Sequence, residues 1–375
     1  MFNLGNSNYI KGQEMKKGIL GSLFVGTLFL CGIASAAEAP SFSLAWSEYP
    51  SWSTFGVAHE MGLINGKKGE MGPIEKKWNV DIELKEAEYD PCMMMYGSGK
   101  CDAVCITNMD VLNPSLSVPS VAIFPTSTSY GGDACIVTGD IKDVKQLRNK
   151  NVYGLAKTVS EYCFVRNLEL LGEKEKDYKF TNMDPGAAAT AMQQKQAGYN
   201  AIVVWNPMLL ETLNKRKDAK VLFDSSKIPG EIIDMVVVSQ KTLDQPGGAN
   251  FAKAIAETYY EVCKKMENPE TRDATLLALG EKFSHLDIKS MQKVVQQTKF
   301  YKTPKMGLDL FTGGKSFPGD EVKDQPKIQD IMKKVVEFCV SHEITPSDPG
   351  VGYGTKADAP KARLRLDPSF IKEIK

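Results

Sequence analysis

Segments with the pattern of buried β-strands alternate with amphipathic helical segments from residue 42 to residue 239, and this alternation limits the possible folds more than any other feature of the sequence. We predict strands at residues 42–46, 80–86, 103–107, 121–124, 134–137, 151–155, 178–182, 201–204, 221–224 and 235–239. The helices predicted between them lie at residues 54–65, 91–98, 144–148, 160–171, 187–196 and 208–215. Because such alternation is typical of open, mostly parallel sheets covered by helices, the sequence predicts an α/β fold.

The order of these segments predicts two lobes, which suits a chain of 375 residues. From about residue 248 the pattern becomes mainly helical, with helices predicted at residues 251–266, 273–282, 288–298 and 328–342. The predicted boundaries are 41–136 for the first part of lobe 1, 137–234 for lobe 2, 235–345 for the helical return to lobe 1, and 346–375 for a Gly-, Pro- and Lys-rich surface tail. The chain is expected to cross between the lobes near residues 137–142 and 234–240.

Residues 1–36 have the features of a secretory signal. Two lysines follow Met15, an apolar run extends over residues 19–33, and a small-x-small site ends at Ala36. The apolar run is shorter than the ~20 residues that a membrane-spanning helix needs. We therefore expect translation to start at Met15, cleavage near Ala36 and a periplasmic location.

The charge balance bears on the partners. The chain has 46 basic and 46 acidic residues, and a zero net charge argues against nucleic acid or an anionic membrane as the main partner. We expect a monomer with a small-molecule ligand.

The cysteines are consistent with an exported chain that keeps free thiols. Eight are present, and removal of Cys31 with the signal would leave an odd number in an oxidising compartment. Cys92 and Cys101 flank a short segment and are the predicted disulfide, although Cys101 and Cys105 could instead pack within a strand. The three histidines are scattered along the chain, so we predict no metal site.

Polar and aromatic side chains collect where the predicted strands end. Ligands of open α/β sheets bind beyond the carboxyl ends of the strands, near helix N-termini. Five such clusters are therefore predicted to face one cleft. The predicted aromatic residues are Trp46, Tyr49, Trp52, Tyr130, Tyr162 and Trp205. The predicted neutral hydrogen-bonding residues are Ser47, Asn108, Ser129, Ser160 and Asn206, and the acidic ones are Glu48, Asp110, Glu161 and Asp234. The structural alternatives are a helix cap for Ser160 and packing between the lobes for Trp205.

Several motifs, taken in order and spacing, carry a family resemblance. They are Trp52-Ser53-Thr54-Phe55-Gly56, His59-Glu60-Met61-Gly62-Leu63-Ile64, Gly99-Lys100-Cys101-Asp102-Ala103-Val104, Thr107-Asn108-Met109-Asp110, Ser129-Tyr130-Gly131-Gly132-Asp133, Ser160-Glu161-Tyr162, Ala201-Ile202-Val203-Val204-Trp205-Asn206-Pro207 and Asp224-Ser225-Ser226. Over about residues 42–300 the chain resembles the nitrate/sulfonate/taurine group of ABC-transporter solute-binding proteins, which includes thiamine-precursor binders. The resemblance implies a two-lobed type II periplasmic-binding-protein fold with a mixed, mostly parallel sheet in each lobe and C-terminal helices. It also implies a ligand in the cleft, an ABC permease as partner, no cofactor and no catalysis.

The predicted cleft residues depart from what a binder of small anions would need. They include four carboxylates and no Arg or Lys, and a buried carboxylate without a cationic partner is costly. Within the expected class of small polar nitrogen or sulfur compounds, we favour an amine, an amidine, a urea- or guanidine-like compound, or a zwitterion such as taurine. Nitrate and simple sulfonates are disfavoured. The alternative is that some of these acids face solvent or cap helices.

Three other functions stay open at this point. A thiamine-pyrimidine-synthesis-like enzyme shares the fold, but the comparable segment, residues 160–164, holds a single cysteine, Cys163. A ligand-sensing module of the same fold cannot be separated from a transport receptor by sequence. A soft-metal site built from residues 92–95 and Cys101 would require consecutive side chains to point the same way, which a helix does not permit.

Overall fold

The computed structural model describes residues 38–282, 286–318, 322 and 326–374. The predicted signal segment, residues 1–36 with its cleavage site, lies outside the described residues. Within the described ranges, no helix combines the length and the apolar character that crossing a bilayer requires.

The strands alternate with helices along most of the chain. The strands are β1 (Ser41–Trp46), β2 (Asp81–Glu86), β3 (Ala103–Thr107), β4 (Ser120–Thr128), β5 (Asp133–Thr138), β6 (Asn151–Gly154), β7 (Lys179–Asn182), β8 (Ala201–Trp205), β9 (Ala219–Asp224), β10 (Ile233–Ser239), β11 (Val351–Tyr353) and β12 (Leu364–Leu366). The helices are α1 (Thr54–Glu60), α2 (Pro73–Trp78), α3 (Tyr89–Gly97), α4 (Leu112–Ser115), α5 (Val159–Leu170), α6 (Pro185–Gln193), α7 (Met208–Lys215), α8 (Gln240–Leu243), α9 (Gly248–Glu267), α10 (Arg272–Lys282), α11 (Ile288–Thr298), α12 (Pro304–Thr312) and α13 (Ile328–Ser341).

The larger sheet is built from both ends of the chain. Among the described residues it has seven strands in the order β2-β1-β3-β10-β4-β12-β11. β10 runs antiparallel to both of its neighbours, and the other four pairings are parallel. Every residue of β3, β4 and β10 is buried, as expected for central strands covered by helices on both faces.

The smaller sheet repeats this arrangement. Its five strands in the described part of the chain have the order β7-β6-β8-β5-β9, and β5 is antiparallel to β8 and β9. β6 pairs in parallel with β7 and β8. The antiparallel strand of each sheet, β5 or β10, is the first strand in the sequence after the chain has crossed from the other sheet. The two sheets confirm the predicted mixed α/β fold.

Helix caps explain where several helices begin. Thr158, in extended conformation, accepts a hydrogen bond from the Ser160 N–H and so starts α5. Asp184 accepts a hydrogen bond from the Ala187 N–H and so starts α6, with Pro185 at the first helical position. Both residue types satisfy N–H groups that have no partner within the helix. These two caps place the N-termini of α5 and α6 at the carboxyl edge of the smaller sheet.

The crossings between the sheets lie earlier in the chain than predicted. They are residues 129–132, between β4 and β5, and residues 225–232, between β9 and β10. The predicted boundaries at 136 and 234 placed most of β5 in lobe 1 and the start of β10 in lobe 2. All residues of both strands are buried, so their hydrophobic pattern gives no indication of the sheet to which each belongs.

The C-terminal segment is not the surface tail that the composition predicted. β12 pairs with β4, and Leu364 and Leu366 are fully or almost fully buried. Between them, the Arg365 guanidinium pairs with Asp367 in a buried ion pair. A three-residue strand within a segment rich in Gly, Pro and Lys is too short to give a clear periodic pattern.

Candidate ligand-binding cavity

A small cavity lies between the carboxyl edges of the two sheets. It is lined by Tyr49, Trp52, Tyr89, Thr107 and Asp234 from the larger-sheet side, by Asp133, Val159 and Trp205 from the smaller-sheet side, and by Ile232 of the second crossing. The cavity has a volume of about 10 Å³. The lining is therefore closed around a space of about one water-sized molecule.

Two aspartates reach the cavity from equivalent places in the two sheets. Asp133 is the first residue of β5 and lies opposite Trp205, the last residue of β8. Asp234 lies near the start of β10, opposite Thr107, the last residue of β3. Because β5 and β10 run antiparallel to their neighbours, their N-terminal ends share an edge with the carboxyl ends of the parallel strands. Each sheet thus supplies one carboxyl group at this edge.

Four aromatic rings form a continuous wall. The ring centroids of Tyr49 and Trp52 are 4.7 Å apart, and Trp52 stacks on Tyr89 at 5.3 Å. Tyr89 then meets Trp205 edge-on at 5.9 Å. The Tyr89–Trp205 contact joins side chains from the two sides of the cavity. All four rings are buried, so they present apolar faces with little water around them.

Burial dominates the electrostatics of the carboxyl groups. It raises the pKa of Asp133 to about 7, with the charge of Asp110 adding to the effect and Ser129 opposing it. The pKa of Asp234 is raised well above its usual range by burial and by the charges of Asp133 and Asp110, against a hydrogen bond from Ser127. Among the described residues, the cavity lining contains no Lys, Arg or His. No basic side chain of this described lining therefore pairs with the carboxyl groups.

Asp110 stands directly behind the lining. Its Oδ2 accepts hydrogen bonds from the Tyr89 hydroxyl at 2.7 Å and the Thr107 hydroxyl at 2.8 Å. It also accepts a long bond, 3.4 Å, from the Val159 N–H at the start of α5. Burial raises its pKa to about 6 although these bonds lower it. Asp110 thus connects residues from both sides of the cavity.

Three polar atoms of the lining are buried without a hydrogen-bond partner. They are the Trp52 Nε1, the Tyr49 hydroxyl oxygen and the Asp133 Oδ2. The Tyr49 hydroxyl lies near Asp234 and Ser129, which influence its pKa, but it makes no hydrogen bond of ordinary geometry with either. Buried polar atoms are normally paired, so each unpaired atom requires an explanation.

A wider groove lies on the outer side of Tyr89 and Trp205. The groove has a volume of about 340 Å³. Its other lining residues are Glu88, Asp90, Pro91, Leu155, Asn182, Asp184, Pro185, Gly186 and Met208. In the described part of the chain, the groove therefore has three acidic and no basic lining residues. The described residues contain no group of three His, Cys, Asp or Glu side chains arranged to hold a metal ion.

The structure brings five of the predicted site residues to the cavity. Tyr49, Trp52, Trp205 and Asp234 line it, and Asp110 contacts its lining.

Other predicted residues are buried but do not line the cavity. The Asn108 amide pairs with the backbone of Glu231 and Ile233 in the second crossing. The Tyr162 hydroxyl donates to Glu231 at 2.8 Å. The remaining members of this group are Trp46, Ser47, Ser129, Ser160 and Asn206. Of these, Ser129 contacts Ser225 and the backbone of Asp133, and Asn206 contacts Gln297.

Three predicted residues lie nearer the surface. Glu48 is exposed, and Tyr130 and Glu161 are partly exposed. The Lys299 ammonium lies 5.9 Å from the centroid of the Tyr130 ring. Glu161 accepts a hydrogen bond from the Lys157 N–H next to the start of α5. The alternative stated for the acids, that some cap helices or face solvent, therefore applies to Glu48 and Glu161.

Five lining residues were not among the predicted site residues: Tyr89, Thr107, Asp133, Val159 and Ile232. Thr107 ends a predicted strand and Tyr89 follows another. The rule that ligands bind beyond the carboxyl ends of strands could therefore have found both residues. Asp133 begins a strand, and the rule does not cover that position.

The predicted disulfide is absent from the structure, since Cys92 and Cys101 are both free thiols. The Cys92 thiol is directed to the Ala87 carbonyl oxygen, 3.6 Å away. Cys105 is buried within β3, as the alternative prediction held for it, whereas Cys101 is buried just before that strand begins.

Two lobes with the same strand order, two crossings and a buried cavity between the carboxyl edges define a protein with the periplasmic-binding-protein fold. Known structures agree with this assignment. The aliphatic sulphonate-binding protein of Escherichia coli superposes with a TM-score of 0.60 at 14% sequence identity, over 82% of this chain and 89% of that chain. The alkanesulfonate-binding protein of Xanthomonas axonopodis pv. citri, bound to MOPS, gives a TM-score of 0.63 at 12% identity, over 88% and 100%.

The periplasmic nitrate-binding protein of Synechocystis PCC 6803 gives a TM-score of 0.53 at 12% identity, over 90% of this chain and 99% of that chain. These structures are of binding proteins of the nitrate/sulfonate group whose resemblance the motifs indicated. No protein-family sequence model matches the chain, and no curated protein matches it by sequence. The likeness is therefore one of fold.

Proposed function

We propose that the protein is the periplasmic solute-binding component of an ABC importer, and that it binds a small organic cation in the cavity between its lobes. The observation that carries the proposal is the composition of the lining. Two carboxyl groups face an aromatic wall, a third lies directly behind it, and no basic side chain of the described residues lines the space.

A cationic ligand removes the main electrostatic cost of this site. A buried carboxylate is expensive unless a positive charge is close to it. The raised pKa values of Asp110, Asp133 and Asp234 reflect that cost. A cation near Asp133 and Asp234 would supply the missing partner. Aromatic faces within about 6 Å of a cation add ~0.5–2 kcal/mol of attraction.

The same lining disfavours the ligands named for the structural neighbours. Sulfonates and nitrate are anions, and a buried anion requires donors or positive charge. Among the described lining residues, the uncharged side-chain donors are the indole N–H groups of Trp52 and Trp205 and the hydroxyl groups of Tyr49, Tyr89 and Thr107. The hydroxyl groups of Tyr89 and Thr107 already donate to Asp110. An anion here would meet Asp133 and Asp234 directly. We therefore assign a different charge class to this ligand.

Ligand contact with both sides explains how binding would close the cleft. Trp52 and Asp234 face the cavity from the larger-sheet lobe, whereas Asp133 and Trp205 face it from the other. A ligand that contacts all of them binds the closed form more tightly than the open form. This difference in affinity shifts the equilibrium towards closure. The closed form would then dock on the permease.

The outer groove fits a cationic ligand as well. Its acidic residues, Glu88, Asp90 and Asp184, lie on the outer side of Tyr89 and Trp205. A cleft lined by one sign of charge raises the local concentration of ligands of the opposite sign. The groove is therefore assigned as the approach to the cavity.

Isothermal titration calorimetry tests the charge class. The panel at pH 8 comprises ethylammonium, guanidinium and ethanolamine as cations, taurine as a zwitterion, urea as a neutral compound, and nitrate and methanesulfonate as anions. We expect cations to bind and anions to give no heat. Asp133→Asn should abolish cation binding, and Asp177→Asn, at an exposed acid, should leave it unchanged. Binding of nitrate or methanesulfonate in preference to every cation would overturn the proposal.

A further inference from the structure

The unpaired polar atoms of the cavity indicate which hydrogen-bonding groups the ligand carries, an inference that rests on the proposed cation binding. The Trp52 Nε1 is a donor on the larger-sheet side, and the Asp133 Oδ2 is an acceptor on the smaller-sheet side. Trp52 is 3% exposed and Asp133 is also 3% exposed. Bulk water therefore does not satisfy either atom.

Three neighbouring hydroxyl groups already donate to other partners and do not pair with these two atoms. The Tyr89 and Thr107 hydroxyls both donate to Asp110. The Ser127 hydroxyl donates to Asp234. The buried atoms of the lining that have no hydrogen-bond partner are therefore the Trp52 Nε1, the Asp133 Oδ2 and the Tyr49 hydroxyl oxygen.

We infer that the ligand carries at least one N–H group on its cationic centre and, next to it, an atom that accepts a hydrogen bond. The N–H group pairs with Asp133 and the acceptor atom pairs with Trp52, so that one small molecule connects the two lobes. The chemical class is that of primary or secondary ammonium and amidinium compounds with a neighbouring hydroxyl, ether or carbonyl oxygen.

This inference separates two kinds of cation that an aromatic wall alone would not separate. Aromatic faces attract quaternary ammonium groups readily. A quaternary ammonium group has no N–H, so it would leave the Asp133 oxygen desolvated and unpaired. Sites with a buried group that must be paired discriminate strongly against ligands that leave it unpaired. We therefore expect the site to reject quaternary ammonium compounds.

Four small cations form a matched set for the test. Ethanolamine has both N–H groups and an acceptor oxygen, and ethylammonium has only the N–H groups. Choline has the oxygen without the N–H groups, and tetramethylammonium has neither. By calorimetry at pH 8, we expect ethanolamine to bind roughly 100-fold more tightly than choline and roughly tenfold more tightly than ethylammonium.

Two tryptophan variants separate the acceptor contact from a general loss of structure. Trp52→Phe keeps an aromatic ring but removes the N–H, so it should reduce the ethanolamine preference over ethylammonium to about twofold or less. Trp46→Phe is the matched control, because the Trp46 Nε1 is also buried and unpaired but does not line the cavity. This control should retain the preference. Melting temperatures of the ligand-free variants show whether each is folded.

The outcomes distinguish this inference from the proposed function. Choline or tetramethylammonium binding as tightly as ethanolamine would overturn the inference while the cation site stands. An unchanged ethanolamine preference in a folded Trp52→Phe protein would overturn the acceptor contact. Binding of nitrate or methanesulfonate without binding of any cation would overturn both. Tight binding of ethanolamine with loss of the preference only in Trp52→Phe would support both.

Discussion

Replacing Asp133 by Asn should make the ligand-free protein more stable relative to the parent as the pH rises. The parent carboxyl has a pKa of about 7 when folded, against 3.8 for an unperturbed aspartate. Between these values the folded state holds a proton that the unfolded state has released, so the stability of the parent falls with increasing pH. An asparagine at this position has no proton to lose.

The size of the effect follows from the same two pKa values. From pH 5 to pH 8, this one carboxyl lowers the free energy of unfolding of the parent by about 2–3 kcal/mol. The amide introduced by Asp133→Asn would have its own imperfect hydrogen bonds, but their cost is the same at both pH values and cancels in the comparison. The stability difference between variant and parent should therefore grow by about 2–3 kcal/mol over this range.

Urea denaturation at pH 5 and pH 8 measures this difference directly. Both proteins are first unfolded and refolded in ligand-free buffer so that no ligand carried through purification stabilises the folded state. Asp177→Asn, which makes the same replacement at an exposed acid, is the control against which the change for Asp133→Asn is compared. A variant whose stability relative to the parent stays constant or declines between pH 5 and pH 8 would refute the assigned burial cost.

Three further outcomes are expected. Affinity for the cation should fall as the pH is lowered below about 7, because the carboxyl groups become protonated. Binding at pH 7 should therefore release protons, which calorimetry in two buffers of different ionisation enthalpy detects. Equal affinity at pH 5 and pH 8 would contradict this expectation. Glu231→Gln should lower the free energy of unfolding by ~3–5 kcal/mol, since Glu231 pairs with Arg166 and Lys334 while largely buried; a loss below ~1 kcal/mol in urea denaturation would show that the pairs contribute little. Leu366→Ala should lower the free energy of unfolding by ~2–4 kcal/mol in the same assay, because Leu366 is buried against β4. An unchanged free energy of unfolding would contradict the burial of this C-terminal segment.

The fold was predictable because the strand–helix alternation is strong over the central part of the chain. Helix starts at Asp184 and at the segment beginning with Thr158 also follow from local capping chemistry. The boundaries between the lobes were wrong because β5 and β10 are buried along their whole length. A fully buried strand has no polar face to show which sheet it joins.

The candidate site was predictable only where a strand ends at the carboxyl edge of its sheet, and not where a strand begins there. The rule that ligands lie beyond the carboxyl ends of strands selected Tyr49, Trp52 and Trp205. It omitted Asp133, because Asp133 begins a strand, and the antiparallel direction of β5 is not visible in a single sequence. Trp46 and Ser47 were included because a sequence does not show how far past the strand end the chain turns into the cleft. That the lining residues bind a ligand stays a prediction.

The order in which the chain supplies the strands of its two sheets has a consequence for folding. The strands of the smaller sheet, β5 to β9, are contiguous in the chain, whereas the larger sheet needs β10, which lies between β3 and β4. A chain that emerges from its N-terminus can therefore complete the smaller lobe while β3 and β4 still lack the strand that joins them. The unpaired edges of β3 and β4 stay open to wrong pairing until β10, Ile233–Ser239, has emerged.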